Sequence, residues 1–198
     1  MSGAVDVRTT REIARAAVRA ELGRVALELF ARDGFENVTV DDVARVAGVS
    51  RSTFLRYFRT KEDAGLSAFE ARGSRVADAL RARPPREDDW TALRRALDVA
   101  VEPYQQDPVA ALRMTRLVMD TPALCARQRE KQHGWLPALA QALAERRHIA
   151  QPPPLALSVK AAAALDCLGV ALDYWTDSGG QLDLVAVLDE AFSALSPQ

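Results

Sequence analysis

Apolar residues recur at intervals of three and four along almost the whole chain, which is the period of an α-helix that buries one face. In the first such segment the apolar stripe comprises Val18, Leu22, Val25, Ala26, Leu29 and Phe30. Thr9 followed by Glu12 has the spacing of a capping box, and Gly34 is a residue at which the helix can end. The pattern predicts a first helix over about residues 10–33.

Two short helices are predicted next, each opened by a residue that caps helix N-termini well. Thr39 with Asp42 predicts a second helix that ends near Ala47. Ser50 predicts a third helix that ends near Tyr57.

The remaining chain also has a helical pattern, and no alternating strand pattern interrupts it. A fourth helix is predicted over 61–82, capped by Thr60 and ended by the prolines of RPPRED at 83–88. Further helices are predicted over 90–103, from Pro108 onward, over 122–147 with a break at Gly134 and Pro137, and over 155–177 and 182–195. The sequence predicts an all-α fold in which a head of residues 1–60 is connected by helix 61–82 to a body within 61–198.

The second and third predicted helices, joined by a turn at Gly48, describe a helix-turn-helix. Val43, Ala47, Val49, Phe54 and Tyr57 fall at inner positions, whereas Arg51, Ser52, Thr53 and Arg56 fall at outer ones. Such a helix enters the major groove of DNA, where arginine can bond the O6 and N7 atoms of guanine. Arg59 and Lys61, which follow the helix, are suited to phosphates. The alternative is an ordinary solvated face on a motif that serves only packing.

The distribution of charge adds a modest indication. Residues 1–60 hold ten arginines and eight acidic residues, a net +2 in a chain whose total is −1. Arg8, Arg11, Arg15 and Arg19 are spaced along one helical face. This stripe either lies against the DNA backbone or is a solvated surface with local partners such as Glu12.

The segment TVDDVARVAGVSRSTFLRYFRTKEDA, residues 39–64, closely resembles the TetR family of bacterial repressors, and the similarity extends over about residues 20–66. The resemblance implies about nine helices, of which the first three bind DNA and the others form a body that receives a ligand and dimerises. It also implies repression relieved by a small molecule. By position it assigns DNA contacts to Thr39, Arg51, Ser52, Thr53, Arg56, Tyr57 and Lys61. The predicted DNA-binding set also includes Ser50 and Arg59.

Leu55 departs from the family pattern, which commonly has tyrosine at this position. A contact that the tyrosine hydroxyl often makes is therefore absent. Leu55 either contacts a thymine methyl group or packs within the protein.

The second half offers candidates for a ligand pocket and a dimer interface. The predicted pocket residues lie on separate helices: Trp90, Tyr104, Arg113, Met114, Leu117, Trp135, Leu139 and Trp175. The alternative is that the large apolar members simply fill a core and that Arg113 is exposed. The predicted interface residues belong to the last two helices: Leu168, Gly169, Leu172, Leu184, Val185, Leu188 and Phe192.

Composition argues against several other classes. No signal peptide is recognisable, and no stretch is judged to reach the roughly 20 apolar residues of a membrane span. The two cysteines are interpreted as core residues, and the two histidines lack zinc-ligand spacing. With no phosphate loop and no nucleophile motif, we predict a cytoplasmic homodimeric repressor that binds a two-fold DNA operator, has no cofactor or metal, and is not an enzyme. The alternative is a helical small-molecule binder with a vestigial DNA-binding head.

Overall fold

The computed structural model describes residues 9–149 and 152–195, which form twelve α-helices, one 3-10 helix (Phe35–Asn37) and no strand. The α-helices are α1 Thr10–Asp33, α2 Val40–Val46, α3 Arg51–Tyr57, α4 Lys61–Gly65, α5 Ser67–Ala82, α6 Asp89–Ala96, α7 Asp98–Gln106, α8 Pro108–Asp120, α9 Pro122–His133, α10 Leu136–Arg146, α11 Leu155–Asp177 and α12 Leu184–Ala194. The all-α prediction is confirmed. The chain divides between Ala68 and Phe69 into two compact units, a head unit and a body unit.

The predicted helix starts of the head unit are confirmed by the caps that hold them. Thr9 and Thr39 each complete a capping box, and Ser50 and Thr60 each accept a hydrogen bond from a backbone N–H of the first turn. Gly34 ends α1 with a φ of 83°, a conformation that glycine adopts without strain.

The single helix predicted over 61–82 is wrong, because the chain breaks at Leu66 between α4 and α5. This break packs closely against α1. A Cβ atom on Gly23 would lie 2.1 Å from the Ser67 Oγ, and a Cβ atom on Gly65 would lie 2.8 Å from the ring of Phe30. The two glycines allow α1 and the segment around Leu66 to approach closely. No capping signal in the sequence indicates this contact.

The single helix predicted over 90–103 is also wrong. It breaks at the fully buried Leu97 into α6 and α7. Pro103 lies inside α7 and does not end it, because the Pro103 carbonyl still accepts a hydrogen bond from the backbone N–H of Asp107 at 3.2 Å.

The core of the body unit surrounds α11, which packs against α10 and α12. By length and composition α11 could cross a membrane, so the prediction that no segment reaches that threshold is wrong. Because ten of its residues, including Leu165 and Leu168, are buried within the body unit, α11 has the packing of a core helix.

Buried charged groups connect helices of the body unit. Arg94, 5% exposed, donates to the carboxylates of Asp98 and Asp189. Asp89, 4% exposed, accepts from Arg147 Nε and Lys160 Nζ, each at 2.8 Å. Unpaired buried charges are costly, so these contacts fix how the helices pack.

Asp89→Asn is expected to destabilise the protein at neutral pH by about 1–2 kcal/mol, because it leaves two cations without their carboxylate. Burial raises the pKa of Asp89, but the hydrogen bonds from Arg147 and Lys160 outweigh it, and the pKa lies below its usual range. The contribution of Asp89 is therefore present above pH ~4 and is lost as the pH falls through the lowered pKa. Urea unfolding of both proteins from pH 7 to pH 3 measures this. A difference that stays constant with pH would contradict the assignment.

Candidate functional site

The outward face of α3 is polar, and its inward face is anchored in the core of the head unit. Phe54 is fully buried and Phe58, directly after the helix, is 2% exposed, with ring centroids 5.7 Å apart. From residue 51 to residue 59 the exposed residues are Arg51, Ser52, Leu55, Arg56 and Arg59. Arg56 and Arg59 form no ion pair with any residue in the described part of the chain. The helix thus presents a cationic, hydrogen-bonding face to solvent.

The turn before α3 has the geometry of a helix-turn-helix. Gly48 adopts a φ of 69°, and the backbone N–H of Val49 donates to the carbonyl of Ala44 at 2.9 Å. Because only glycine adopts this φ readily, the turn depends on the residue at position 48.

Several predicted DNA-binding hydroxyls already serve as caps. The Ser50 Oγ accepts from the Thr53 N–H at 3.1 Å and bonds the Thr53 hydroxyl at 2.9 Å. The Thr39 hydroxyl donates to Asp42 at 2.6 Å, and the hydrogen bonds from Thr39 and Arg45 lower the pKa of Asp42 to about 2. The hydroxyls of Ser50 and Thr39 therefore hold the starts of α3 and α2. Sequence spacing alone does not tell this capping role from a role in DNA contact.

Arg51 forms an ion pair with Asp41 across the motif, with 2.8 Å between its Nη1 and the Asp41 Oδ2. The two side chains are 61% and 62% exposed. Exposed pairs of this kind contribute about 0–1 kcal/mol, so Arg51 can exchange its partner for a base or a phosphate at little cost.

Lys61 has a structural role that the sequence analysis missed. Its ammonium group donates to the carbonyls of Phe35 and Val38 at 2.7 and 2.9 Å and lies 3.9 Å from the centre of the Phe35 ring. Two of its three donor hydrogens are therefore used to hold the segment before α2. The predicted role in phosphate binding is left with one donor.

Arg19 likewise belongs to the scaffold. It donates to the Tyr57 carbonyl at 2.9 Å and stacks 4.4 Å from the centre of the Phe58 ring. Arg8 lies outside the described residues, whereas Arg11 and Arg15 are exposed on the turns of α1 that precede this contact. The predicted arginine stripe is reduced to these two as candidates for the DNA backbone.

Arg11→Ala/Arg15→Ala is expected to reduce the dependence of DNA affinity on salt. Each lost phosphate contact lowers the log–log slope by ~0.9, so the double variant should be flatter by ~1.8. Titration of one duplex at several salt concentrations measures the slope. Arg24→Ala/Arg32→Ala is the control on the same helix, because those arginines already pair with nearby acids. Equal slopes for wild type and the Arg11/Arg15 variant would rule out the contact.

The predicted pocket residues of the body unit lie in three different environments. Tyr104, Leu139 and Trp175 belong to the buried core, with the Tyr104 and Trp175 rings 5.3 Å apart. Trp90 is half-buried and donates its indole N–H to the Phe192 carbonyl at 3.0 Å. Met114 and Leu117 are half-buried and Arg113 is exposed.

Trp135 is the predicted pocket residue that lines a cleft of about 360 Å³ in the body unit. The other lining residues come from α5, α9 and α10 and the turn before α10: Glu70, Gly73, Ser74, Arg127, Glu130, Lys131, Gly134 and Ala138. Trp135 is 4% exposed, stacks on Phe69 at 4.7 Å, and has an indole N–H without a hydrogen-bond partner among the described residues. A Cβ atom on Gly73 would lie 2.3 Å from the indole, so this glycine makes room for it. Nothing in the sequence spacing indicates this role of Gly73.

The predicted interface residues are mostly core residues of the same chain. Five of them are no more than 8% exposed: Leu168, Leu172, Leu184, Leu188 and Phe192. Gly169 and Val185 are half-buried. The prediction took the inner face of α11 and α12 for the outer one. The large exposed apolar residues of α11 are instead Leu155, Val159, Val170 and Tyr174, spaced along one side of the helix.

Together, α2, the turn at Gly48 and α3, with its buried inner face and cationic outer face, form a helix-turn-helix. The model of bacterial regulatory proteins of the tetR family matches residues 24–63, and the model of the MftR C-terminal domain matches residues 87–198, more than half of the chain. The chain belongs to the TetR family of bacterial regulatory proteins, with a body unit of the MftR type.

Individual relatives are consistent with this assignment. MftR of Mycobacterium tuberculosis (strain ATCC 25618 / H37Rv), named for mycofactocin biosynthesis, is 32% identical over 122 residues, which is 62% of each chain. TcmR of Streptomyces glaucescens, an HTH-type transcriptional regulator, is 31% identical over 137 residues, 66% of this chain and 61% of its own. The match thus spans less than two thirds of either relative.

Solved structures share the fold. FadR of Bacillus subtilis in complex with stearoyl-CoA superposes with a TM-score of 0.58 at 19% identity, over 88% of this chain and 96% of its own. FadR of Thermus thermophilus in complex with lauroyl-CoA superposes with a TM-score of 0.56 at 21% identity, over 89% and 92%.

Proposed function

We propose that this protein is a dimeric transcriptional repressor that binds a two-fold operator through α3 and is released by a small-molecule effector. The observation that carries the proposal is the exposed face of α3, where Arg51 and Arg56 project beside Ser52 from a helix anchored by Phe54. A short anchored helix with such a face fits the major groove, and arginine is the side chain that most often reads guanine there. Such a protein acts in the cytoplasm, where bacterial DNA is located.

Dimerisation is proposed through the outer side of α11. Leu155 with Val159, and Val170 with Tyr174, form two exposed apolar pairs on one side of α11, with exposures of 51–80% and with Asp166 between the pairs. Exposed apolar side chains favour association, and a two-fold axis would pair this side of α11 with its own copy. Two copies of α3 would then meet two half-sites of one operator.

Val170→Glu is expected to weaken the dimer by roughly 100-fold, because it brings two new carboxylates into an apolar, two-fold interface that already includes Asp166. Sedimentation equilibrium measures the dimer dissociation constant. Val109→Glu is the matched control, since Val109 is 67% exposed on α8, outside the proposed interface. A Val170→Glu protein that dimerises as wild type would place the interface elsewhere.

The effector site is proposed at the cleft lined by Trp135. Its cations, Arg127 and Lys131, pair with Glu130 at 2.5 Å and Glu70 at 3.1 Å, while the buried indole adds an apolar surface and a free donor. A ligand with both anionic and apolar parts fits this combination. Acyl-CoA thioesters are the first class to test, because two proteins of the same fold are known in complex with them.

Selection from a pool of randomised duplexes with the full chain tests the DNA-binding function. We expect enrichment of a two-fold symmetric sequence, and we expect stearoyl-CoA but not coenzyme A alone to release it. Absence of any enriched sequence would overturn the proposal in favour of a small-molecule binder with a vestigial head. Enrichment without release by stearoyl-CoA would overturn only the effector class.

A further inference from the structure

Leu55 is a large apolar residue at the centre of an otherwise polar face. It lies one helical turn after Arg51 and next to Arg56, and it is 45% exposed. Its neighbour Phe54 is fully buried. Leu55 therefore lies outside the core of the head unit and keeps nearly half of its side chain exposed, which favours contact with a partner over packing within the protein.

In the major groove, the apolar group available to such a side chain is the 5-methyl group of thymine. We propose that Leu55 reads a thymine methyl group in each half-site of the operator. The inference rests on the proposed function, since it requires that α3 enters the groove. It adds one specified base to the site: a thymine selected by apolar contact beside the positions that arginine reads.

The charges around Leu55 favour DNA over a protein as the surface that covers it. Arg56 and Arg59 form no ion pair with described residues, and the side chains of the pair between Arg51 and Asp41 are both more than half exposed. An apolar side chain flanked in the sequence by Arg51, Arg56 and Arg59 suits a polyanion that also presents methyl groups. Duplex DNA has both properties.

The helix also predicts where the thymine lies. Leu55 follows Arg51 by four residues, a rise of about 6 Å along the helix axis. Because successive base pairs are about 3.4 Å apart, the thymine is expected within about two base pairs of the position that Arg51 reads.

The test uses the duplex enriched from the randomised pool, synthesised with each thymine of a half-site replaced singly by deoxyuridine. Deoxyuridine lacks only the methyl group and keeps its hydrogen-bonding pattern. For the wild-type protein we expect one replacement near the arginine-read positions to weaken binding about fourfold, the effect of losing the burial of one methyl group. For Leu55→Ala we expect thymine and deoxyuridine at that position to be bound equally.

Val46→Ala is the matched control, because Val46 is 49% exposed on α2, the helix of the motif that crosses the backbone. It should retain the fourfold effect. If no deoxyuridine weakens wild-type binding to the enriched duplex, the inference is overturned and the DNA-binding function stands. If the effect persists in Leu55→Ala, or is lost in Val46→Ala instead, another residue reads the methyl group. If no duplex is enriched, it is the proposed function that fails.

Discussion

Arg51→Ala/Arg56→Ala is expected to remove the preference for guanine at the arginine-read positions, the largest part of the sequence preference, while leaving the protein folded. Each bidentate pair between arginine and guanine contributes about 1–3 kcal/mol of discrimination, so the loss of both lowers specific affinity by roughly 30-fold or more. Breaking the solvated pair with Asp41 offsets little of this, since exposed pairs contribute about 0–1 kcal/mol. Competition between the enriched duplex and a scrambled duplex measures the preference.

The matched control for charge is Arg86→Ala/Arg95→Ala, which removes the same two cations from exposed positions of the body unit. It should keep the preference for the enriched duplex. Equal loss in both double variants would mean that net charge, and not the face of α3, determines binding.

Arg94→Ala is expected to lower the free energy of unfolding by about 3 kcal/mol. Arg94 is 5% exposed and connects α6 to α12 through Asp189 at 2.5 Å, and it also binds Asp98 at 2.6 Å. Removing one partner of a buried pair costs about 3–5 kcal/mol, and the half-exposed carboxylates can regain water, which favours the lower figure. For a chain of this size the melting temperature should fall by roughly 6–12 °C.

The adjacent Arg95 provides the control, because it is exposed and forms no ion pair with a described residue. Arg95→Ala should change stability by no more than about 0.5 kcal/mol. Arg94→Lys, which keeps the charge and loses the forked geometry, should lie between the two. An Arg94→Ala protein as stable as Arg95→Ala would contradict the role given to the buried pair.

The elements of the fold that local signals determine could be predicted from the sequence. The caps at Thr9, Thr39, Ser50 and Thr60 depend on residues within one helical turn, and the structure contains all four. The breaks at Leu66 and Leu97 could not be predicted, because no proline marks either one and Gly65, next to the first, lies in a helical pattern that continues past it. The first depends on how closely α1 approaches α4, which is a property of tertiary packing.

In the candidate site, too, local features could be predicted from the sequence and tertiary contacts could not. Helical spacing correctly placed Arg51, Ser52 and Arg56 on the outer face. Burial of one aromatic residue fixes the rotation of a short helix about its axis, and so determines which residues are exposed. The contacts of Arg19 and Lys61 with backbone carbonyls span 38 and 26 residues, so no local pattern indicates them.

The prediction assigned the wrong side of α11 to the interface for a different reason. Its apolar residues surround the helix almost completely, from the buried Leu168 to the exposed Val170. When a helix is apolar on all sides, the period of its apolar residues does not show which side is buried within its own chain.

The exposed face of α3 is proposed to read base edges in the major groove of one duplex. Methylation interference at guanine N7 on the enriched duplex tests it most directly, because that atom lies in the major groove and is the acceptor for arginine. We expect methylation to block binding at guanines in two symmetric groups whose centres are one helical turn, about 10 base pairs, or a multiple of it apart, and we expect Arg51→Ala/Arg56→Ala to remove this pattern. Wild-type binding that tolerates N7 methylation at every guanine would show that α3 does not read the groove.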